Sequence, residues 1–228
     1  MRENRLGAIA LIIGAISGIV VLTFHPGGGG GSAHRVTPAQ FEILIGVIVG
    51  VHVLAISGLP FCFLGATALS RKIDTPNRVA LVALVVYGFS LLAMMIAATM
   101  SGLITPALLR KVATHAPDAD QWHMFSQYTH TVNQAFAQIG ALGTCVAIIL
   151  WSVIIIKRRV LSMSLGIYGV ILGLAILVCF FAGKVDLELH GFQLITLAQS
   201  IWFVVAGIFL WRAVAEPTGQ KELLTSDI

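Results

Sequence analysis

The chain has 228 residues, of which 57% are hydrophobic and 11% are charged. A soluble domain carries about 25% charged residues, so this chain has too few charges to cover a water-exposed surface, and a soluble globular protein is excluded. The net charge of +4 instead reports on membrane topology: we expect the lipid bilayer as a partner and no nucleic acid. The three cysteines lie in apolar runs without CxxC spacing, which indicates neither a zinc knuckle nor a disulfide framework.

Six apolar stretches follow one another along the chain, and each is long enough for a hydrocarbon core that needs about 20 residues per helix. The first stretch is longer than the apolar core of a signal peptide, about 7–15 residues, so we interpret it as a retained helix. The sequence predicts an all-α polytopic membrane protein, a six-transmembrane-helix bundle in a single domain of residues 1–228. The expected helices are approximately 6–24, 41–69, 79–104, 121–156, 161–183 and 190–211.

The lysines and arginines are divided unequally between the two sides of this bundle, with ten on one side and four on the other. Loops rich in basic residues stay in the cytoplasm, so both termini are expected to be cytoplasmic. The expected location is the bacterial inner membrane, with the protein spanning it several times. The larger group is Arg2, Arg5, Arg71, Lys72, Arg78, Lys157, Arg158, Arg159, Arg212 and Lys221; the smaller is Arg35, Arg110, Lys111 and Lys184.

Local signals mark the helix ends and contacts. Thr105 and Pro106 predict the N-cap and first turn of a short interfacial helix, and Asp118 is the expected N-cap of the fourth long helix.

Three tryptophans near span ends are typical of the lipid–water interface: Trp122, Trp151 and Trp211. Three glycine pairs spaced four residues apart are expected to mark helix contact faces: Gly14 and Gly18, Gly46 and Gly50, Gly169 and Gly173.

The histidines are concentrated on the outer side, and the informative one is His52, which lies within the second helix. An ionisable side chain inside a membrane is costly and is by default a functional-site hypothesis. At 1.5 Å per residue, His52 lies roughly 4–5 Å below the outer boundary, His25 and His190 near it, and His130 about 7 Å above it. We take these four as candidate cofactor ligands, and His52, His190 and His25 as candidate metal ligands. The alternative is that His52 is a neutral imidazole bonded to a neighbouring helix.

A polar stripe runs along the fourth helix, where its members recur every three or four residues and therefore share one face. Amides facing lipid would be unpaired, so we predict that this face lines a polar cavity open to the outer side, with partners from the second and sixth helices. The alternative is interhelical hydrogen bonding that only fixes the packing. The predicted cavity residues are His123, Gln127, Asn133, Gln134, Gln138, Glu42 and Gln199.

The leading functional hypothesis is a histidine-rich polar site in the outer leaflet that binds haem b or a transition metal ion, as part of a redox or ligand-binding subunit. A six-coordinate haem would pair His52 with His190, His130 or His25. One alternative is a small-solute or proton-coupled transporter; a second is a structural subunit of a membrane complex. Other membrane subunits or a second copy of the chain are the expected protein partners. No motif assigns a catalytic residue.

The predicted orientation is testable with reporter fusions. Because both termini are expected in the cytoplasm, a C-terminal green fluorescent protein fusion should fluoresce and a C-terminal alkaline phosphatase fusion should be inactive. Alkaline phosphatase joined after Lys184, on the predicted outer side, serves as the control and should be active. The reverse pattern of activities would contradict the topology.

Overall fold

The computed structural model describes residues 2–24, 37–73, 78–114, 118–184 and 189–215. These residues form helices and, within the described ranges, no strand. Six helical stretches are long and apolar enough to cross a membrane, which confirms the all-α six-span prediction. The helices are α1 Arg2–Phe24, α2 Pro38–Lys72, α3 Val79–Thr99, α4 Thr105–Ala113, α5 Ala119–Arg158, α6 Met163–Phe181 and α7 Leu189–Ala215, with a π-helical segment, Met100–Ile104, between α3 and α4.

The start of α2 is fixed by a capping box. The Thr37 hydroxyl accepts a hydrogen bond from the Gln40 backbone N–H at 3.3 Å, and the Gln40 side chain accepts one from the Thr37 N–H at 2.9 Å. Pro38 occupies the first helical turn, where its missing N–H costs nothing. These contacts set where α2 begins and therefore the level at which His52 lies.

The sequence predicts that the short helix α4 starts at its own N-cap, but α4 instead continues the helical backbone of α3. Ile104 has helical backbone angles (φ −81°, ψ −51°), so no N-cap interrupts the chain. The Thr105 hydroxyl donates to the Met100 carbonyl at 2.9 Å instead of capping a new helix. Asp118 does hold the N-cap position of α5, although its side chain makes no capping hydrogen bond.

The six spans form a closed ring in the order α1, α2, α3, α5, α6, α7 and back to α1. Neighbouring spans run antiparallel, as expected for consecutive membrane helices joined by short connections. Because α5 and α7 also contact each other, α6 remains on the outside. The arrangement leaves a central space surrounded by α1, α2, α3, α5 and α7.

Glycines set the closest approach in the ring, between α1 and α2. A Cβ added to Gly65 would lie 2.5 Å from the backbone of Leu11, and one added to Gly14 would lie 2.8 Å from the backbone nitrogen of Cys62. No side chain other than hydrogen fits these positions unless the helices move apart. The sequence therefore determines which faces of the two helices meet.

The three predicted glycine pairs have different outcomes. Two pairs lie against neighbouring helices: Gly14 and Gly18, and Gly169 and Gly173. The pair in α2 is the exception, because an added Cβ at Gly46 or Gly50 would meet no atom within 4 Å among the described residues. The prediction that this third pair is a helix contact is therefore wrong for the described part of the chain, since this face of α2 turns away from the bundle.

Trp151 lies in an aromatic cluster in the core. Its side chain is fully buried, its ring centroid is 5.4 Å from that of Tyr87 and 6.2 Å from that of Trp202, and Phe203 packs against it. Its indole N–H donates to the Ser70 hydroxyl at 3.0 Å. The prediction that Trp151 lies at the lipid interface is wrong, because its one polar group has a partner inside the protein.

Two glycine substitutions on the same helix test this packing. We expect Gly65→Ala to lower the free energy of unfolding by about 1–3 kcal/mol, the usual cost of overpacking, because the new methyl group meets Leu11. Gly46→Ala is the matched control and should be neutral or stabilising, by up to about 1 kcal/mol from helix propensity. Unfolding in detergent followed by circular dichroism measures both. Equal destabilisation of the two variants would contradict the assigned contact.

Candidate functional site

The central space of the ring is a cavity of about 390 Å³, within the range of roughly 300–1,000 Å³ that is usual for small-molecule sites. Along α5 its wall extends from His130 to Thr144, which at 1.5 Å per residue is about 21 Å. The cavity therefore passes through much of a hydrocarbon core about 30 Å thick.

One end of the cavity is a mouth and the other is closed. His130, near the start of α5, is exposed and marks the mouth. Cys62, Tyr87 and Phe203 form the floor, and behind them the aromatic cluster around Trp151 fills the core. With the predicted orientation, the mouth is on the outer side of the membrane.

The wall of the cavity is largely apolar and carries scattered uncharged polar groups. Among the described residues, no Asp, Glu, Lys or Arg contributes to the lining. Transferring an ion without a counter-charge into such a site is costly. The cavity therefore suits a neutral molecule better than an ionic one.

His52 is held in a fixed orientation in this wall. Its side chain is 6% exposed, and its Nδ1 lies 2.7 Å from the Ile48 carbonyl oxygen. A carbonyl can only accept, so Nδ1 carries the hydrogen and, in the neutral ring, Nε2 carries the lone pair. Gly102 of the π-helical segment packs directly on the ring, since an added Cβ would overlap the imidazole. The irregular turn of α3 thus fits around this histidine.

Several polar groups in the wall lack a protein partner. Asn133 and Gln134 on α5 and Gln193 on α7 are half-buried lining residues, and within the described ranges their amides make no hydrogen bond. The Thr196 hydroxyl is buried and also without a partner there. Unpaired groups at this depth need water or a ligand.

Gln199 lines the same cavity, but its amide nitrogen already has hydrogen-bond partners within the protein. Its amide nitrogen donates to the Ala141 carbonyl at 2.9 Å and to the Cys145 sulfur at 3.1 Å. The side chain is 5% exposed. It therefore connects α7 to α5, as the packing alternative expected.

Three other residues of the predicted stripe do not reach the cavity. His123 and Gln127 lie at the exposed start of α5, beyond the mouth, with His123 Nε2 and the Gln127 amide nitrogen 3.2 Å apart. Gln138 is half-buried, and two steps of four residues from His130 rotate it by about 80° at 3.6 residues per turn. The drift of a four-residue repeat takes it off the face of the cavity.

Glu42 is also placed outside the cavity. Its carboxylate accepts from Arg110 at 2.8 Å, and both side chains are about half exposed. The ion pair joins α2 to α4 at the surface of the bundle.

Two candidate histidines cannot be located relative to this wall. His25 lies outside the described residues, and His190 lies at the start of α7 without a described side chain. The cavity therefore brings together His52 and His130. Among the side chains that the structure describes, no three His, Cys, Asp or Glu residues are close enough to hold a metal ion.

Sequence reasoning missed the contributions of α1 and α3. Ser17 and Gly18 on α1, and Met94 and Ser101 on α3 and the π-helical segment, all line the cavity. The signal on α1 was present, because Gly14, Ser17 and Gly18 recur at helical spacing on one face. No sequence pattern indicated the π-helical segment.

Comparisons with protein-family models, curated proteins and solved structures found no match. The chemistry of the cavity is therefore what indicates the function.

Two alanines one turn apart on α5 test whether the cavity is open to water. Ala137 lines the cavity and Ala141 does not. In a chain whose three natural cysteines are replaced by alanine, we expect the small neutral reagent methyl methanethiosulfonate to label Ala137→Cys much faster than Ala141→Cys. Mass spectrometry gives both rates. Equal rates would contradict an open cavity at this position.

Proposed function

We propose that this membrane protein binds a small uncharged molecule inside the bilayer, as a ligand-binding or redox subunit. The observation that carries the proposal is that the amides of Asn133, Gln134 and Gln193 have no partner among the described residues, which also contribute no charged side chain to the wall. Each such group lowers the free energy of the protein when a ligand hydrogen-bonds to it.

The cavity suggests an amphipathic ligand. The amides without a protein partner among the described residues, those of Asn133, Gln134 and Gln193, lie toward the mouth, whereas Leu59, Leu91 and Phe203 line the deeper part. A ligand with carbonyl or hydroxyl groups at one end and an apolar body would match both parts.

Haem is the redox-active candidate, and it is the exception to the uncharged class because its propionates are anionic. Porphyrin supplies four ligands to its iron, so one or two histidines suffice, whereas a bound metal ion normally needs three or four protein ligands. Were haem bound, His52 would be the residue to hold its iron, because the hydrogen bond from Nδ1 to the Ile48 carbonyl fixes the orientation of the ring. His130 is the candidate second ligand. The haem propionates would have to lie at the mouth, since the described lining offers no cation.

A carrier is the second candidate. It is favoured by two irregularities that flank the cavity: Pro60 within α2 and the π-helical segment beside His52. Irregular helices are typical of transporter sites. Transport would also require the aromatic floor at Tyr87 to open, and uptake into proteoliposomes that depends on His52 would support it.

The bacterial inner membrane, with both termini in the cytoplasm, is the proposed location, because of the ten-to-four division of basic residues. Other membrane subunits or a second copy of the chain are the proposed protein partners. The open face at Gly46 and Gly50 suits such a contact, since paired glycines let helices approach closely.

The test is to identify what the purified protein carries. We expect organic extraction and mass spectrometry to find one non-lipid compound bound to protein isolated in mild detergent. Asn133→Leu should lower its occupancy by about fivefold, the effect of losing one hydrogen bond of about 1 kcal/mol. His123→Leu is the control and should bind normally, because His123 lies outside the cavity.

An absorption spectrum of the same samples tests the haem form. A Soret band that disappears in His52→Leu and persists in His123→Leu would support it, whereas its absence from the native-source protein would contradict it. Absence of any bound non-lipid compound from the unmodified protein, together with normal assembly of His52→Leu and Asn133→Leu, would contradict the binding proposal and favour a structural subunit.

A further inference from the structure

A cluster of basic residues surrounds the connection between α2 and α3. Arg71 and Lys72 are in the last turn of α2, and Arg78 immediately precedes α3. Arg71 and Arg78 are exposed. Asp74, between them in the sequence, lies outside the described residues. With three cations and one anion, residues 71–78 have a net charge of +2.

An apolar groove of about 330 Å³ lies between α2 and α3 and is separate from the central cavity. Phe63 supplies its α2 side, and Leu81, Val85, Phe89 and Leu92 lie along its α3 side. All five side chains are at least 43% exposed, so the groove faces lipid.

The basic cluster lies at one end of this groove. Arg78 immediately precedes the first residue of α3, and Leu81, Val85, Gly88 and Leu92 recur within α3 at the three- and four-residue spacing of one helix face. From Leu81 to Leu92 the groove is about 16 Å long, which is comparable to half of a hydrocarbon core about 30 Å thick.

We propose that the groove and the adjoining arginines bind one anionic phospholipid. An acyl chain lies along α3, and the phosphate contacts Arg71 and Arg78. Guanidinium groups bind phosphate oxygens through paired hydrogen bonds, and basic residues next to membrane helices attract anionic lipids. A zwitterionic lipid fits the groove equally well but gains less from the arginines, so the charge complementarity selects the anionic headgroup.

Native mass spectrometry of the full chain tests this site with phosphatidylglycerol and phosphatidylcholine of the same acyl chains. We expect tighter binding of phosphatidylglycerol, weakened about fivefold by Arg78→Gln, the effect of losing one cation near an anionic headgroup. Arg212→Gln is the matched control, because it removes an exposed cation from the same predicted side of the membrane as Arg78. Arg212 lies on α7, which is not a neighbour of α3 in the ring. Gly88→Phe, or Val85→Trp as a second variant, should fill the groove and weaken binding of both lipids.

Five results would overturn the proposal. The first four are equal affinity for the two lipids, equal loss of binding in Arg212→Gln, unchanged binding in both groove-filling variants, and competition by glycerol phosphate as effective as that by the lipid. The third and fourth would indicate a site for the phosphate alone. Occupation of the groove by a second copy of the chain would appear as a dimer without bound lipid, which also overturns it.

Discussion

The cost of an unpaired hydrogen-bonding group inside an apolar slab is the constraint on which the rest of this structure depends. The packed parts of the bundle largely satisfy it. Hydroxyls such as Ser90 and Thr144 donate to the carbonyl four residues earlier, and Trp202 donates to the Leu165 carbonyl at 3.2 Å. Ser152 is the exception in the packed region, a buried hydroxyl without a partner among the described residues. Elsewhere in the described chain, the Thr196 hydroxyl and the amides of Asn133, Gln134 and Gln193 lie without a protein partner in the wall of the central cavity, and the half-buried Gln138 amide lies beside it.

The two ends of the bundle core differ because different side chains fill them. Toward the side where the chain begins, glycines let α1 and α2 approach closely, and Tyr87, Trp151 and Trp202 fill the centre. Toward the other side, small and polar residues replace the aromatics, and the ring stays open at its centre. The large side chains thus form a floor, and the small ones leave a volume that can hold a ligand.

The fold could be predicted from the sequence because it depends on apolar length alone. Which residues of a helix face the central cavity depends on how the helices pack together. The sequence predicted these residues only in part. The helical spacing brought His130, Asn133 and Gln134 to one wall, but a four-residue repeat drifts around the helix, so Gln138 turns away. The position of Trp151 near a span end did not indicate that it lies in the core. Its burial depends on the hydrogen bond that its indole N–H donates to Ser70.

Other features left no sequence signal. The π-helical segment places Gly102 against His52 of α2, a contact between two helices that are distant in sequence. The ion pair between Glu42 and Arg110 depends on where α4 continues from α3. Both features surround the outer half of α2, so the environment of the most informative histidine was the least predictable part of the molecule.

A high-resolution cryo-electron microscopy map of protein purified from its native membrane into lipid nanodiscs tests the central claim most directly. The claim predicts one compact non-protein density in the cavity, within hydrogen-bonding distance of Asn133 or Gln193 and next to His52. A cavity that holds only water, or whose amides bond to each other across a collapsed centre, would contradict it.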